Sequence, residues 1–288
     1  MEAPNTARPV AAELAQAPGM TILVAMPLIG RDAGLVPGWA AAVAAIAAAH
    51  PATTFTTCAA VRGLDAAAKG ACAAAGVAVV ETPWYNVPAD GQNKAGIMLK
   101  RIRLAREAAA QGAAAIWYVN ADIRPRPEHW AAVDALFRAQ KTVAVLPYPV
   151  RWAPGHPPAV CLAPGGQPEL HDARCFRACA DAGEFPSAVI AGGSFGCTAI
   201  ATSVVGLVPF IVREAIGSAG HASPGEDIGW FLNAYRAGIE VRMPLGIVVE
   251  HVGCEAAPLP PPQPPQPQPQ PPPQPDAAAA REGPEHKK

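Results

Sequence analysis

Between Met20 and Val119 the chain repeats one pattern: a short apolar run, a segment of helical length, then another apolar run. Met20–Pro27 (MTILVAMP), Thr53–Val61 (TTFTTCAAV), Val77–Glu81 and Ala113–Val119 read as strands. Val36–His50, Asp65–Ala75 and Gln92–Gln111 read as helices, the last two stopped by Gly76 and Gly112. Strands that alternate with helices form a parallel sheet covered by those helices. The expected fold is therefore α/β, with a mostly parallel, Rossmann-like sheet flanked by helices.

The second half continues less regularly. Pro127–Gln140 predicts a helix with Pro at its first position. Thr142–Val150 reads as a strand broken by Pro147 and Pro149, and 151–186 as loop. Ser187–Ala191 and Phe195–Thr202 read as strands on either side of a Gly192-Gly193 turn, followed by a short helix over Val208–Ile216. Ser223 or Pro224 caps a further helix whose first turn holds Glu226 and Asp227. Ile228, Phe231, Leu232 and Tyr235 mark its apolar stripe and Gly238 its end. Ile239–Met243 and Gly246–Glu250 read as strands, the last ending on His251. From Glu255 the composition collapses into Pro and Gln, which cannot bury a core and favours disorder or polyproline II. The expected organisation is a flexible 1–19, one domain over 20–254, and a disordered tail over 255–288.

A formal net charge of -1 argues against a nucleic-acid protein, which normally carries a basic surplus. The seven cysteines (58, 72, 161, 175, 179, 197 and 254) include no C-x-x-C pair and read as reduced thiols. Cys175 and Cys179 would share a helix face, but a metal or redox role is the weaker reading. Residues 1–19 lack a signal-peptide pattern, and the apolar run Trp39–Ala49 falls short of the roughly 20 residues of a membrane span. A cytoplasmic protein with no membrane span is the expectation.

The stretch AIWYVNADIRPRP (115–127) carries the first chemical signal. Its apolar strand stops at Asn120 and Asp122, two residues apart, so on extended backbone both side chains lie on one side. Two such oxygen-bearing groups suit a hard divalent cation, or merely a polar turn before Pro125. Ligands in open α/β sheets bind beyond the carboxyl ends of strands, where this pair is placed.

Four stretches in order resemble the family-2-like glycosyltransferases of the GT-A fold: WYVNADIRP, GGSFGCTAI, GEDIGWFLNAYRAGIEVRM and IVVEH. MPLIGR resembles that family's nucleotide-binding opening, and the likeness spans about residues 20–252. It implies transfer of a sugar from a nucleotide-sugar donor to a hydroxyl of a glycan or other acceptor. Asp122 matches the second acid of the family's D-x-D motif and, with His251, implies a Mn²⁺ or Mg²⁺ site; the ion would offset charge on the departing diphosphate. Asn120 departs from the motif, an amide standing where Asp is common. The resemblance further implies Asp227 as general base of an inverting reaction, with Glu226 and Gly193 toward the acceptor. Asn120, Asp122, Arg31, Asp65 and Arg103 would then hold the donor, with Lys100 beside Arg103. Trp84, Tyr85 and Trp152 read as loop packing, and His129, His156 and His171 as surface or loop residues. The alternative is a catalytically silent nucleotide-binding scaffold whose Pro-rich tail engages SH3- or WW-type modules.

Overall fold

The computed structural model describes residues 19–63, 65–82, 94–149, 186–190, 192–210 and 226–254. In chain order the elements are β1 (Thr21–Pro27), a 3-10 turn (Gly30–Leu35) leading into α1 (Val36–Ala49), β2 (Thr54–Arg62), α2 (Ala66–Ala74) and β3 (Ala78–Thr82). Then come α3 (Lys94–Ala110), β4 (Ala115–Val119), β5 (Ile123–Arg124), α4 (Pro127–Arg138) and β6 (Val143–Val145). The last are β7 (Ser187–Ile190), β8 (Cys197–Ala201), α5 (Thr202–Val205), α6 (Glu226–Arg236), β9 (Val241–Pro244) and β10 (Glu250–His251).

Eight strands build one sheet in the order β3-β2-β1-β4-β8-β6-β9-β7, and β5 pairs with β10 in a small second sheet. The pairs β1–β2, β2–β3, β1–β4 and β6–β9 are parallel, while β8 and β7 run antiparallel to their neighbours. The sheet is thus mostly parallel and flanked by helices, as expected.

Burial on both faces follows from the apolar runs. Ile22, Val24, Met26, Trp117 and Val119 point into one core with Val36, Trp39, Val43 and Ile46 of α1 and Trp130, Val133, Leu136 and Phe137 of α4. The alternate residues Leu23, Ala25, Ile116 and Tyr118 point into the other, with Leu104 of α3, Val204 and Val205 of α5, and Trp230 and Phe231 of α6. A strand whose successive side chains enter opposite cores must be apolar throughout, which is why these runs show no alternation.

The 3-10 turn and α1 together make a 20-residue segment, Gly30–Ala49, that is long and apolar enough to cross a membrane by length and composition. Its residues Val36, Trp39, Val43 and Ile46 lie in the core, and Trp39 Nε1 donates to the Val119 carbonyl at 3.2 Å.

Several elements differ from expectation. The broken strand over 142–150 shrinks to Val143–Val145, and a short helix, Thr202–Val205, begins where the strand over Phe195–Thr202 was expected to end; residues 211–216 of the helix expected over 208–216 lie outside the described residues. The two strands beside the Gly192-Gly193 turn do not pair: β8 lies between β4 and β6, and β7 occupies the sheet edge. Gly246–Glu250 does not join the main sheet; only Glu250–His251 pairs, with β5. On α6 the buried residues include Trp230, Phe231 and Ala234, whereas Tyr235 is 48 % exposed, so the stripe is rotated away from 235. Cys58, Cys72 and Cys197 are buried free thiols and Cys254 is a half-buried one, in keeping with reduced core cysteines. Cys161, Cys175, Cys179, Trp84, Tyr85, Trp152, His156, His171 and both terminal segments lie outside the described residues.

His129 is buried rather than at the surface. Its Nδ1 accepts the Arg126 backbone N–H at 2.8 Å, and Nε2 faces the Val248 carbonyl at 3.2 Å. The ring is therefore neutral, capping α4 on one side and tethering the segment before β10 on the other. Burial holds its pKa below the ordinary 6.5. With the folded value lowered, the unfolded chain binds the extra proton first. The stability that the neutral ring contributes is complete above pH 6.5 and is lost as pH falls below it. Urea midpoints should fall between pH 7.5 and pH 5, and His129→Ala should lower the midpoint at pH 7.5 while flattening that dependence. An unchanged slope in the variant would remove His129 as the cause.

Candidate functional site

The chain order of the sheet locates a crevice. From β1 the chain moves outward to β2 and β3, then α3 carries it back so that β4 adds to the other side of β1. At this reversal the segments leaving β1 and β4 diverge, opening a gap beyond their carboxyl ends. Leu28–Arg31 follow β1, and Asn120–Asp122 follow β4.

On the β4 side the backbone turns at once. Ile123 N–H donates to the Asn120 carbonyl at 3.0 Å, and Asn120 N–H donates to the Gly196 carbonyl at 2.9 Å. Arg124 staples this turn to the neighbouring helix: its guanidinium donates to the carbonyls of Ala121 at 2.6 Å and Leu35 at 3.1 Å. Pairing of β5 with β10, including Val252 N–H on the Asp122 carbonyl at 2.8 Å, then carries His251 to Asp122.

The result is an Asp122–His251 pair, Oδ2 to Nε2 3.0 Å, with His251 buried and Asp122 half-buried. His251 Nδ1 lies 2.5 Å from the Pro149 carbonyl, which can only accept, so Nδ1 carries a proton. Nε2 is left facing the carboxylate. It can be protonated and pair with Asp122, or present its lone pair beside a carboxylate oxygen. The second state would leave two ligand positions for a cation: bonds of about 2.1 Å at right angles put neighbouring ligand atoms about 3 Å apart. A backbone carbonyl that fixes the distal nitrogen is also the usual support of a metal-bound histidine. No cluster of three or more His, Cys, Asp or Glu that could hold a metal occurs among the described residues. Asp122 and His251 would supply two positions, so phosphate oxygens and water would have to supply the rest, as hard cations commonly accept.

Around β1 and β2 the carboxyl ends hold mixed charge. Arg31 is exposed and pairs with Asp32 at 3.7 Å. Asp65 caps α2, its Oδ1 accepting Ala68 N–H at 3.0 Å, and a Cβ on Gly30 would meet its Oδ2 at 2.5 Å. A side chain at position 30 would therefore displace the Asp65 carboxylate. Lys100 is buried, with Nζ donating to the Leu28 carbonyl; burial pulls its pKa down to about 8, opposed by Asp65 and Asp32. Arg103 is exposed on α3 and its charge is felt at Cys58, well inside β2. Lys100 and Arg101, not Arg103, are the buried basic residues of that helix.

Residues 193–196 pack between β6 and α6. Gly193 is buried against Val145, whose Cγ1 would lie 2.7 Å from an added Cβ. Ser194 hydrogen-bonds the Tyr148 hydroxyl. Phe195 stacks on Phe231 of α6 at 5.1 Å between ring centroids and takes the Arg101 guanidinium over its face at 4.7 Å. Asp227, one helical turn before Phe231, is half-buried. The Tyr148 phenol is pushed far above its usual range by burial and further by the Asp227 carboxylate, against the Ser194 hydrogen bond and Arg101. Tyr148 meets the His251 ring edge-on at 5.6 Å. Asp122, His251, Tyr148 and Asp227 therefore share one region, while Glu226 is described only as the first residue of α6. Sequence reasoning missed Tyr148, Ser194, Arg101 and Arg124. A Tyr between Pro147 and Pro149 at a strand's end was the available signal for the first.

Gly196 is the tightest approach. A Cβ there would lie 2.1 Å from the Tyr148 oxygen and 2.3 Å from its Cζ. Gly196→Ala should destabilise the fold by about 1–3 kcal/mol, as overpacking does. Adding Tyr148→Phe should not rescue it, because the ring carbons clash as well as the oxygen. A melting curve matching the parent would show that Tyr148 is not held here.

No family model matches the chain. An uncharacterized protein of African swine fever virus is 29 % identical over 170 residues, covering 54 % of this chain and 68 % of the viral one. A second isolate's version is 28 % identical over the same length. Among solved structures, glucosyl-3-phosphoglycerate synthase from Mycobacterium tuberculosis, in complex with phosphoglyceric acid, superposes with a TM-score of 0.47 at 13 % identity, covering 90 % of this chain and 79 % of that one. A mycobacterial protein superposes with a TM-score of 0.45 at 17 % identity, covering 87 % and 72 %.

Proposed function

We propose that this chain is a glycosyltransferase that takes a sugar from a nucleotide-sugar donor, with inversion, to a hydroxyl acceptor. The observation that carries the reading is the Asp122–His251 pair at the strand-order reversal, with the His251 tautomer set by the Pro149 carbonyl. One residue from each of the four stretches that resemble the family, Asp122, Ser194, Asp227 and His251, is linked to Tyr148 or to this pair, which supports the same reading.

In the reaction the acceptor oxygen forms a bond to the anomeric carbon as the bond from that carbon to the diphosphate oxygen breaks. The electron pair leaves with the nucleotide diphosphate, and the acceptor's proton passes to the Asp227 carboxylate. Asp122 and His251 are the residues that would hold Mn²⁺ or Mg²⁺, which when bound offsets charge on the departing diphosphate. Lys100, mostly charged at neutral pH, places a buried cation where β1 ends. Arg31 and Asp65 border the same crevice on the donor side, and Asn120 offers an amide beside the diphosphate.

Thermal shift with nucleotide diphosphates, in Mn²⁺ and in EDTA, tests the reading. Stabilisation that needs the cation is expected. Equal stabilisation in EDTA would remove the metal from the proposal, and none with any nucleotide diphosphate would remove the donor class.

A further inference from the structure

Tyr148 and Ser194 form a buried hydroxyl pair to which the reaction above gives no task. Tyr148, 8 % exposed, follows β6, and Ser194 lies 46 residues on, just before β8; their side-chain oxygens hydrogen-bond each other. Two hydroxyls carry two protons, and a single bond between them uses one. The Ser194 oxygen also accepts the Gly196 N–H at 3.3 Å, which occupies a lone pair and offers no acceptor in return. One O–H of the pair is therefore left without an acceptor among the described residues. Such a group is kept in a fold where water, an ion or a substrate completes it.

The surroundings say what that partner is. Thr198 Oγ1 donates to the Ser194 carbonyl at 2.8 Å, and glycine at 196 lets the phenol press against the backbone, so both hydroxyls are fixed in place. Tyr148 touches the His251 ring, which contacts Asp122, and lies within electrostatic reach of Asp227. An O–H donor held there stands beside the residues to which the proposed reaction gives the cation and the base.

We propose that the Tyr148–Ser194 pair positions the attacking oxygen of the acceptor, an alcohol hydroxyl or water, by donating its remaining O–H to that oxygen. This rests on the glycosyl-transfer reading. The hydrogen-bond tally of the oxygen then closes: one lone pair attacks the anomeric carbon, its proton goes to Asp227, and its second lone pair takes the O–H of the pair. The diphosphate leaves with the electrons of the broken bond.

The test uses the full chain with Tyr148→Phe, Ser194→Ala and both together. Three readouts are taken: Tm without ligand, thermal shift by nucleotide diphosphate with Mn²⁺, and release of nucleotide diphosphate from nucleotide sugars with water or glycerol as acceptor. Expected are unchanged Tm and nucleotide shift, about a 10-fold fall in release for each single variant, and no further fall in the double, because the bonded pair donates a single O–H to the acceptor. Unchanged release overturns the proposal. So does a Tm loss above about 4 °C, the mark of a structural bond, or an equal loss of nucleotide binding, which would move the pair to the donor. A parent that binds the nucleotide but releases none in water or glycerol overturns this proposal alone. A parent that binds no nucleotide diphosphate removes the glycosyl-transfer reading beneath it.

Discussion

Asp227→Asn is expected to lower sugar transfer by about 10²-fold or more while leaving the fold and nucleotide binding intact. That loss corresponds to about 2.7 kcal/mol of transition-state stabilisation. The amide keeps the shape of the carboxylate and much of its hydrogen bonding, but it cannot take the acceptor's proton. Asp227 stands in the first turn of α6, where a carboxylate also favours the helix dipole, so a modest stability change follows from any neutral substitute. The decisive comparison is therefore kcat against nucleotide affinity in the same variant. Near-normal transfer by Asp227→Asn would reduce the residue to a helix-start charge and remove the inverting assignment. A parallel fall in nucleotide binding would place Asp227 on the donor instead.

Asp122→Ala is expected to abolish the cation-dependent part of nucleotide-diphosphate stabilisation and to depress transfer with it. The two effects are coupled because the carboxylate would hold the ion and the ion would hold the diphosphate, in the ground state as well as the transition state. His251→Ala should weaken the same stabilisation less, since a carboxylate is the stronger partner for a hard cation. His251→Ala also removes the ring beside Tyr148 and the contact with the Pro149 carbonyl, so His251→Gln is the cleaner companion variant. Thermal shifts in Mn²⁺ and EDTA check both. Full cation-dependent stabilisation in Asp122→Ala would take the metal site elsewhere.

The strands and helices of the first half were legible because each is a local pattern. Ile22 to Met26 and Ile116 to Val119 are apolar at every position, as a strand buried on both faces must be. Asp65 and Pro127 sit where helix starts favour them, and both do open helices. The later elements were legible in kind and not in placement. Gly192-Gly193 marks a turn, yet nothing local says that β8 inserts between β4 and β6 while β7 goes to the edge. His129 was misplaced at the surface because its burial depends on the Val248 carbonyl, 119 residues away. Tyr235 was assigned to a buried stripe by its spacing, and packing turned the helix so that Trp230, Phe231 and Ala234 face inward.

By itself the sequence determined the α/β class, the mostly parallel sheet, and the positions of Asn120, Asp122, Asp227 and His251 at element ends. Those depend on polarity period and on capping and turn residues, which act over a few positions. Only the tertiary structure decided that Asp122 and His251 meet at 3.0 Å across 129 residues, that Pro149 sets the histidine tautomer, and that Gly196 admits the Tyr148 phenol. Contacts of that kind arise from strand order and close packing of segments remote in sequence, and no local period encodes them.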